Sequence, residues 1–185
     1  RRCGHPALCA GCPHRLVFKE LSRMKAVVTG DIGCYTLGAV APLSAMDMTL
    51  CMGGSISGIH GFNKARGEES EHKTVAVIGD STFTHSGMTG LLDCVNENAD
   101  VTIVISDNET TAMTGGQDSA GTGRLEAICA GIGVAPEHIR VVVPLKKNYE
   151  EMKQIIREEI EHHGVSVIIP RRECIQTLAR KKRNK

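Results

Sequence analysis

Polar clusters at 79–81 and 107–110 each follow directly after a short β-branched apolar run. Such runs are typical of buried parallel strands, so both clusters are expected at the carboxyl ends of neighbouring strands. Open α/β sheets bind their ligands at that edge. The clusters offer a carboxylate at Asp80, an amide oxygen at Asn108 and a hydroxyl or main-chain carbonyl at Thr110, an all-oxygen set that suits Mg²⁺ bridging a diphosphate.

Three neighbours of Asp80 fit the same chemistry. Gly79 would let the backbone approach phosphate groups, and Ser81 and Thr82 could donate hydroxyl or amide hydrogens at the start of the following helix. A strand-end Asp and an Asn in ordinary turns would give the same pattern, so these residues alone leave both interpretations open.

The cysteines form the second candidate constellation. Eight cysteines in an intracellular chain of this size are more readily explained as metal ligands or core residues than as disulfides. Cys9 and Cys12 have a metal-ligand spacing, and with a further ligand from Cys3, His5 or His14 they could hold structural zinc. The cysteines that lie within apolar patterns are expected in the core: Cys51, Cys94 and Cys129.

Bulk properties place these residues in a single folded domain. A chain of 185 residues with 41% hydrophobic residues can bury one full core, so we expect one domain over 1–185. The net charge of +1 provides no long-range attraction for nucleic acid or membranes, and the basic run at 179–185 is expected to be a solvated, frayed tail. No apolar stretch is long enough to span a bilayer or to act as a signal peptide, which predicts a cytoplasmic protein. Because the chain begins with Arg1, we expect it to be part of a longer polypeptide.

The elements that must position these residues alternate along the chain. Apolar periodicity predicts an α/β fold with a mainly parallel sheet and helices on both faces, preceded by an irregular Cys-rich segment at 1–15. The predicted strands are 25–29, 74–78, 101–105, 139–143 and 165–169, and the predicted helices are 16–24, 84–98, 124–130 and 148–163.

Four segments together carry a family resemblance. Their order and spacing resemble the thiamine-diphosphate-binding domain of the 2-oxoacid:ferredoxin oxidoreductases, and within that superfamily they are most similar to the carboxy-terminal part of the indolepyruvate-type alpha subunits. The resemblance covers nearly the whole chain. The four segments are Leu8-Cys9-Ala10-Gly11-Cys12-Pro13-His14-Arg15, Gly30-Asp31-Ile32-Gly33-Cys34-Tyr35-Thr36-Leu37-Gly38, Gly79-Asp80-Ser81-Thr82-Phe83, and the run from Asp107 to Gln117.

This resemblance implies the diphosphate-binding half of the thiamine diphosphate fold and two groups of site residues. It implies cofactor contacts from the segments described above and from Cys34, Met52, Gly53, Gly54, Thr111, Met113 and Thr114. It also implies a 4Fe–4S cluster on Cys9, Cys12, Cys34 and Cys174.

The resemblance further implies oxidative decarboxylation of an aryl- or indole-pyruvate-type 2-oxoacid to an acyl-CoA. The implied partners are a pyrimidine-binding domain or subunit that supplies the catalytic Glu, ferredoxin and coenzyme A, within a hetero-oligomer. The chain alone would then bind cofactor without turnover. Two alternatives stay open: a subunit of a split, non-redox decarboxylase acting on sulfopyruvate-like acids, in which the cysteines hold no cluster, and a zinc-stabilised module without catalysis.

Overall fold

A six-stranded, all-parallel sheet forms the centre of the computed structural model, which describes residues 7–70 and 74–183. The strand order is β2-β1-β3-β4-β8-β7, and an antiparallel pair, β5 with β6, lies outside this sheet. The strands are β1 (Val27–Gly30), β2 (Met48–Thr49), β3 (Thr74–Gly79), β4 (Val101–Ser106), β5 (Thr110–Thr111), β6 (Gln117–Asp118), β7 (Ile139–Val142) and β8 (Val165–Pro170).

Helices cover both faces of the sheet, as the sequence predicts. Side chains alternate between the two faces of the sheet and belong to two separate apolar clusters. One cluster packs beneath α1 and α6, and the other packs beneath α2, α4 and α5. The helices are α1 (Arg15–Met24), α2 (Gly54–Arg66), α3 (Asp80–Thr82), α4 (Met88–Asn96), α5 (Leu125–Ile132), α6 (Tyr149–Glu161) and α7 (Ile175–Arg183).

The register of the sheet brings the strand ends together. β3 pairs with β4 from Val75↔Thr102 to Gly79↔Ser106, and β4 pairs with β8 up to Val104↔Ile168. Because all these strands are parallel, the loops that follow β1, β3, β4 and β8 emerge at one edge of the sheet. The two polar clusters and the segment around Cys174 therefore meet there.

The structure differs from the sequence predictions at several points, of which three concern the helix after β3, the basic end and a cysteine. The helix predicted from residue 84 begins at Asp80: α3 continues through a π-helical turn, Phe83–Gly87, into α4. Residues 179–183 of the basic end, predicted to fray, are exposed but belong to helix α7. Cys51, predicted to be in the core, is exposed, whereas Cys94 and Cys129 are buried as predicted. Over the described ranges, every helix is too short or too polar to cross a membrane.

Candidate functional site

A cleft of about 430 Å³ opens at the carboxyl edge of the sheet. Its volume is within the range of sites for small organic ligands. Of the residues predicted to bind the cofactor, Gly53 and Gly54 do not line the cleft. The cleft brings together the others, namely Cys34, Met52, Gly79, Asp80, Ser81, Thr82, Asn108, Thr110, Thr111, Met113 and Thr114.

Asp80 is the first residue of α3 and is almost completely buried at this edge. Its Oδ2 atom is buried and has no hydrogen-bond partner among the described residues. The pKa of Asp80 is raised to about 6, chiefly by burial; the nearby Asp107 contributes to the rise, and hydrogen bonds from Ser81 and Ser119 oppose it. A bound cation would compensate the charge of a buried carboxylate oxygen that has no hydrogen-bond donor.

Asn108 and Thr110 form a tight turn directly after β4. The amide N–H of Thr110 donates to Asn108 Oδ1 at 3.1 Å, and the Thr110 hydroxyl donates to the main-chain carbonyl of Gln117 at 2.9 Å. The hydroxyl hydrogen is therefore engaged within the protein, and the main-chain carbonyl is a second oxygen that Thr110 can offer to a ligand. Together with Asp80, this gives one carboxylate, one amide and one carbonyl oxygen in the same cleft.

The hydroxyl groups of the cleft are already partly paired. Ser81 Oγ lies 2.8 Å from Thr111 Oγ1. Thr82 Oγ1 accepts a hydrogen bond from the hydroxyl of Tyr35 at 3.1 Å and donates to the carbonyl of Ile32 at 3.3 Å. The Ser81 hydroxyl remains accessible from the cleft, while Thr82 has its main-chain amide to offer at the helix start.

Tyr35 is a structural residue of the site that the sequence analysis missed. Its ring occupies the space where a Cβ at Gly79 or Gly33 would lie. Its hydroxyl also lies 2.8 Å from the carbonyl of Ile32, so its single hydrogen is shared between this carbonyl and Thr82 Oγ1. Burial raises its pKa above the ordinary value, which keeps it protonated. Gly79 is therefore required for the packing of Tyr35. The β-strand pattern of the sequence does not indicate this requirement.

Asp31 is a second residue whose role the sequence did not reveal. Its fully buried carboxylate accepts hydrogen bonds from the amides of Ile32 and Gly53, both at 2.8 Å, and from the amide of Ser55 at 3.1 Å. These bonds fix the start of α2. They hold Met52 at the rim of the cleft, where half of its surface is exposed.

The loop after β8 is bonded to the loop after β4. Arg171 Nε donates to the buried Asp107 Oδ2 at 2.6 Å, and its two terminal nitrogens donate to the carboxylate of Glu126 at 2.7 and 2.8 Å. The amide of Cys174 donates to the carbonyl of Asn108 at 3.1 Å. The segment that carries Cys174 is thus connected directly to a candidate metal ligand.

A second, smaller cavity of about 70 Å³ adjoins the cleft. The four cysteines predicted to hold a cluster all line it, and they come from three segments, before α1, after β1 and after β8: Cys9, Cys12, Cys34 and Cys174. Burial raises the pKa of Cys12, and the proximity of Cys9 and Cys174 raises it further. Five residues line both this cavity and the cleft, namely Cys34, Tyr35, Ser106, Asn108 and Ala112.

The structure describes some of the residues that could hold zinc with Cys9 and Cys12. Cys3 and His5 lie outside the described residues. His14 lines the small cavity and is buried, and burial lowers its pKa to about 4, so it is neutral. In the described ranges, one group of three potential metal ligands has its ligand atoms within 4.8 Å of each other. It consists of His60, Asp93 and Glu97, and none of these lines the cavity. Three thiolates around tetrahedral zinc would be spaced more closely than that limit.

Comparison with known proteins identifies a family match and similar sequences. Residues 31–169 match the model of the thiamine pyrophosphate enzyme, C-terminal TPP binding domain. The chain is 39% identical over 194 aligned positions to the indolepyruvate oxidoreductase subunit IorA of Archaeoglobus fulgidus, and the alignment covers 96% of this chain and 30% of that protein. It is 40% identical over 195 positions to the subunit of the same name from Pyrococcus horikoshii, with coverage of 91% and 29%. The chain thus spans about 30% of the length of these curated relatives.

Solved structures share the fold at low sequence identity. A 2-oxoglutarate:ferredoxin oxidoreductase from Magnetococcus marinus superposes with a TM-score of 0.72 and 17% identity, covering 94% of this chain and 66% of that chain. A thiamine diphosphate-dependent 4-hydroxybenzoylformate decarboxylase from Rhodococcus jostii superposes with a TM-score of 0.64 and 18% identity, covering 90% and 34%. At these identities the similarity establishes the α/β fold.

Proposed function

The chain belongs to the family of C-terminal TPP-binding domains of thiamine pyrophosphate enzymes, and from this premise we propose that it is the cofactor-binding part of a 2-oxoacid:ferredoxin oxidoreductase. The proposed reaction is the oxidative decarboxylation of an aryl- or indole-pyruvate-type 2-oxoacid. Relatives named as indolepyruvate oxidoreductase subunits support this substrate class.

The observation that carries the proposal is the shared wall between the cleft and the cysteine-lined cavity. Cys34 and Ser106 belong to both, so a ligand in the cleft and a group held by the cysteines would be separated by little more than one layer of side chains. A non-redox decarboxylase has no use for this arrangement. An oxidoreductase requires an electron acceptor next to the site of decarboxylation.

In the cleft, we assign metal binding to the side chains of Asp80 and Asn108 and to the main-chain carbonyl of Thr110. The unpartnered Asp80 Oδ2 supports this assignment, since Mg²⁺ would compensate the negative charge of this buried oxygen. The hydroxyl of Ser81 and the amide of Thr82 would bind the diphosphate at the start of α3. Thiamine diphosphate bound in this way supplies the electron sink for loss of carbon dioxide from a 2-oxoacid.

The remaining predicted contacts would surround the organic part of the cofactor. Met52 and Met113 are half to two-thirds exposed at the rim, where their flexible apolar side chains can cover an aromatic ring. Cys34, Thr111 and Thr114 line the same walls. Gly53 and Gly54 act indirectly. The Gly53 amide donates to Asp31, and the Gly54 amide donates to the carbonyl of Cys51. These two bonds position Met52 in its turn.

In the small cavity, we assign a 4Fe–4S cluster to the four cysteines. Thiolates are the ligands that iron–sulfur clusters require, and a cluster supplies one-electron acceptance. The sulfur atoms come from the segments before α1, after β1 and after β8, so the folded sheet brings them together.

The whole enzyme requires more than this chain, since the chain spans about 30% of its relatives. We propose that a pyrimidine-binding domain or subunit supplies the catalytic Glu, that coenzyme A accepts the acyl group and ferredoxin the electrons, and that the hetero-oligomer works in the cytoplasm. The exposed apolar side chains of Ile32, Met52 and Met113 at the rim of the cleft are suited to contact with such a domain.

Titration calorimetry with thiamine diphosphate tests the cofactor assignment. We expect binding that requires Mg²⁺, and we expect Asp80→Ala and Asn108→Ala to weaken it by at least roughly tenfold. Asp93→Ala removes an exposed carboxylate outside the cleft and should bind as the unchanged chain does. Normal Mg²⁺-dependent affinity in Asp80→Ala would contradict the assignment, and no binding by the unchanged chain would favour a zinc-stabilised module.

A further inference from the structure

Two polar side chains face the cysteine-lined cavity without a partner. His14 is 5% exposed and Ser106 is 3% exposed, and both line this cavity. Within the described part of the chain, neither ring nitrogen of His14 nor Ser106 Oγ has a hydrogen-bond partner. Buried donors are almost always paired in folded proteins, so three unpaired polar atoms around one small cavity indicate that something inside it pairs with them.

The positions of these two residues follow from the fold. Ser106 is the last residue of β4, and side chains alternate along a strand, so Ser106 is on the same face as Val104, which packs in the cluster beneath α1. His14 comes directly before α1 and two residues after Cys12. The two side chains thus approach the cysteines from different elements, the sheet and the segment leading into the helix.

The rest of the cavity lining provides few other partners. Apart from the cysteines, its wall is mainly apolar, with Leu8, Pro13 and Leu37 among its members. A neutral imidazole carries one N–H and a serine hydroxyl carries one O–H, so each residue can donate one hydrogen bond. The acceptors that the proposed function places there are the thiolate and sulfide sulfurs of an iron–sulfur cluster.

We propose that His14 and Ser106 donate hydrogen bonds to sulfur atoms of the cluster on the four cysteines and thereby raise its reduction potential. The inference rests on the cluster assignment made above. Reduction adds one electron to the cluster and breaks no bond. Donors that point at the sulfurs stabilise the added negative charge, which is an established way for a protein to shift the potential of a cluster.

The position of Ser106 gives the proposal a functional consequence. Because Ser106 also lines the cofactor cleft, it is on the direct route between the two cavities. A donor there stabilises the reduced cluster beside the place where the electrons originate. We therefore expect it to favour electron transfer from the cleft to the cluster rather than back transfer.

The test is an anaerobic redox titration of the full chain with reconstituted cluster, followed by electron paramagnetic resonance, with iron and sulfide measured on each sample. Ser106→Ala and His14→Leu remove the donors, whereas Ser106→Thr and His14→Gln keep one. Ser70→Ala is the matched control, because Ser70 is also buried with an unpartnered hydroxyl but does not line the cavity. We expect a lower potential in the first two variants at unchanged iron content. The donor-retaining variants and the control should stay near the potential of the unchanged chain.

Several outcomes would overturn the inference. Unchanged potentials in Ser106→Ala and His14→Leu, with the cluster intact, would mean that these groups bind ordered water instead, and the cluster assignment would stand. Loss of iron from His14→Leu with retention in Ser106→Ala would make His14 a ligand and not a donor. Absence of iron from the reconstituted unchanged chain would refute the proposed cluster itself, and the inference with it.

Discussion

At the scale of single residues, Asp80 shows how a candidate binding site reduces the stability of its own fold. Its carboxylate is buried beside Asp107, and one of its oxygens has no donor among the described residues. The folded chain therefore holds this proton more tightly than the unfolded chain does, with a pKa of about 6 against an ordinary value of 3.8. A carboxylate that stabilises a fold through ion pairs or hydrogen bonds has a lowered pKa. A raised pKa is instead typical of a carboxylate at a functional site, such as one that binds a cation.

Replacement of this carboxylate by its neutral isostere should stabilise the metal-free chain. The folded-state pKa is raised, so the folded chain binds more protons than the unfolded chain between about pH 4 and pH 6, and stability falls as the pH rises through that window. Asp80→Asn removes this loss. At pH 8 we expect its free energy of unfolding to exceed that of the unchanged chain by on the order of 2 kcal/mol.

Urea denaturation without Mg²⁺, from pH 4 to pH 8, measures this difference. The advantage of Asp80→Asn should be smallest at pH 4 and level off above about pH 7, while Mg²⁺-dependent cofactor binding is lost. The exposed Asp93→Asn provides the control. An advantage that is the same at every pH would show that the buried charge is not its cause.

The sequence identified those residues of the site whose signal is local. The positions of Asp80 and Asn108 at one edge of the sheet were predictable because each follows an apolar run of the kind that is typical of a buried strand. Tyr35 and Asp31 were not, because their contacts with Thr82 and Gly53 join residues 47 and 22 positions apart. Cys51 was assigned to the core because it stands between Leu50 and Met52, but all three are exposed in the turn before α2.

At the scale of elements, the loops after β4 and β8 form one unit held by Arg171. Asp107 is completely buried, and its side chain accepts from Arg171 and from the amide of Glu109. Arg171 also binds Glu126 at the start of α5, and this pairing raises the pKa of Arg171 and lowers that of Glu126. One side chain therefore joins β4, β8 and α5 beside Asn108.

Loss of this side chain should destabilise the fold and loosen the site. Arg171→Gln leaves Asp107 buried with one remaining donor, and we expect a cost of about 3 kcal/mol in the free energy of unfolding. The neighbouring Arg172 makes no ion pair in the described part of the chain, so Arg172→Gln should change stability by less than about 0.5 kcal/mol.

A double variant separates the charge from the packing. If the cost of Arg171→Gln arises from the unpaired carboxylate, Asp107→Asn combined with Arg171→Gln should lose much less than the sum of the two single changes. Chemical denaturation of the four proteins measures this coupling. Strict additivity would show that Arg171 and Asp107 contribute independently.

Element boundaries illustrate what periodicity does not reveal. The start of the helix after β3 was predicted four residues late, because Asp80, Ser81 and Thr82 resemble a loop in composition but adopt helical geometry directly after the strand. The basic end was assigned to solvent on its charge alone. Its residues 179–183 belong to α7, where the side chain of Arg180 donates to the carbonyl of Gly115 at 2.9 Å and Lys181 pairs with Glu173.

At the scale of the whole molecule, the arrangement of two cavities follows from parallel topology. Most segments that line either cavity lie at the carboxyl end of a strand in the main sheet or belong to the hairpin after β4. The one exception is the stretch that precedes α1. The family resemblance implied that Cys34 and Cys174 would share a cluster, and the parallel sheet is what brings both to the same edge as Asn108. The sequence did not predict that a single layer of residues would line both cavities, because that depends on how α1 packs against the sheet.

Iron content and the electron paramagnetic resonance of the anaerobically purified, reconstituted chain test the central claim most directly. We predict about four iron and four sulfide ions per chain and a signal that appears on reduction with dithionite. Cys174→Ser should lose much of both, while Cys51→Ser, which changes an exposed cysteine outside the cavity, should keep both. A reconstituted chain without iron that still binds thiamine diphosphate and Mg²⁺ would contradict the account and favour a non-redox decarboxylase. Stoichiometric zinc instead of iron would contradict it in favour of a structural site.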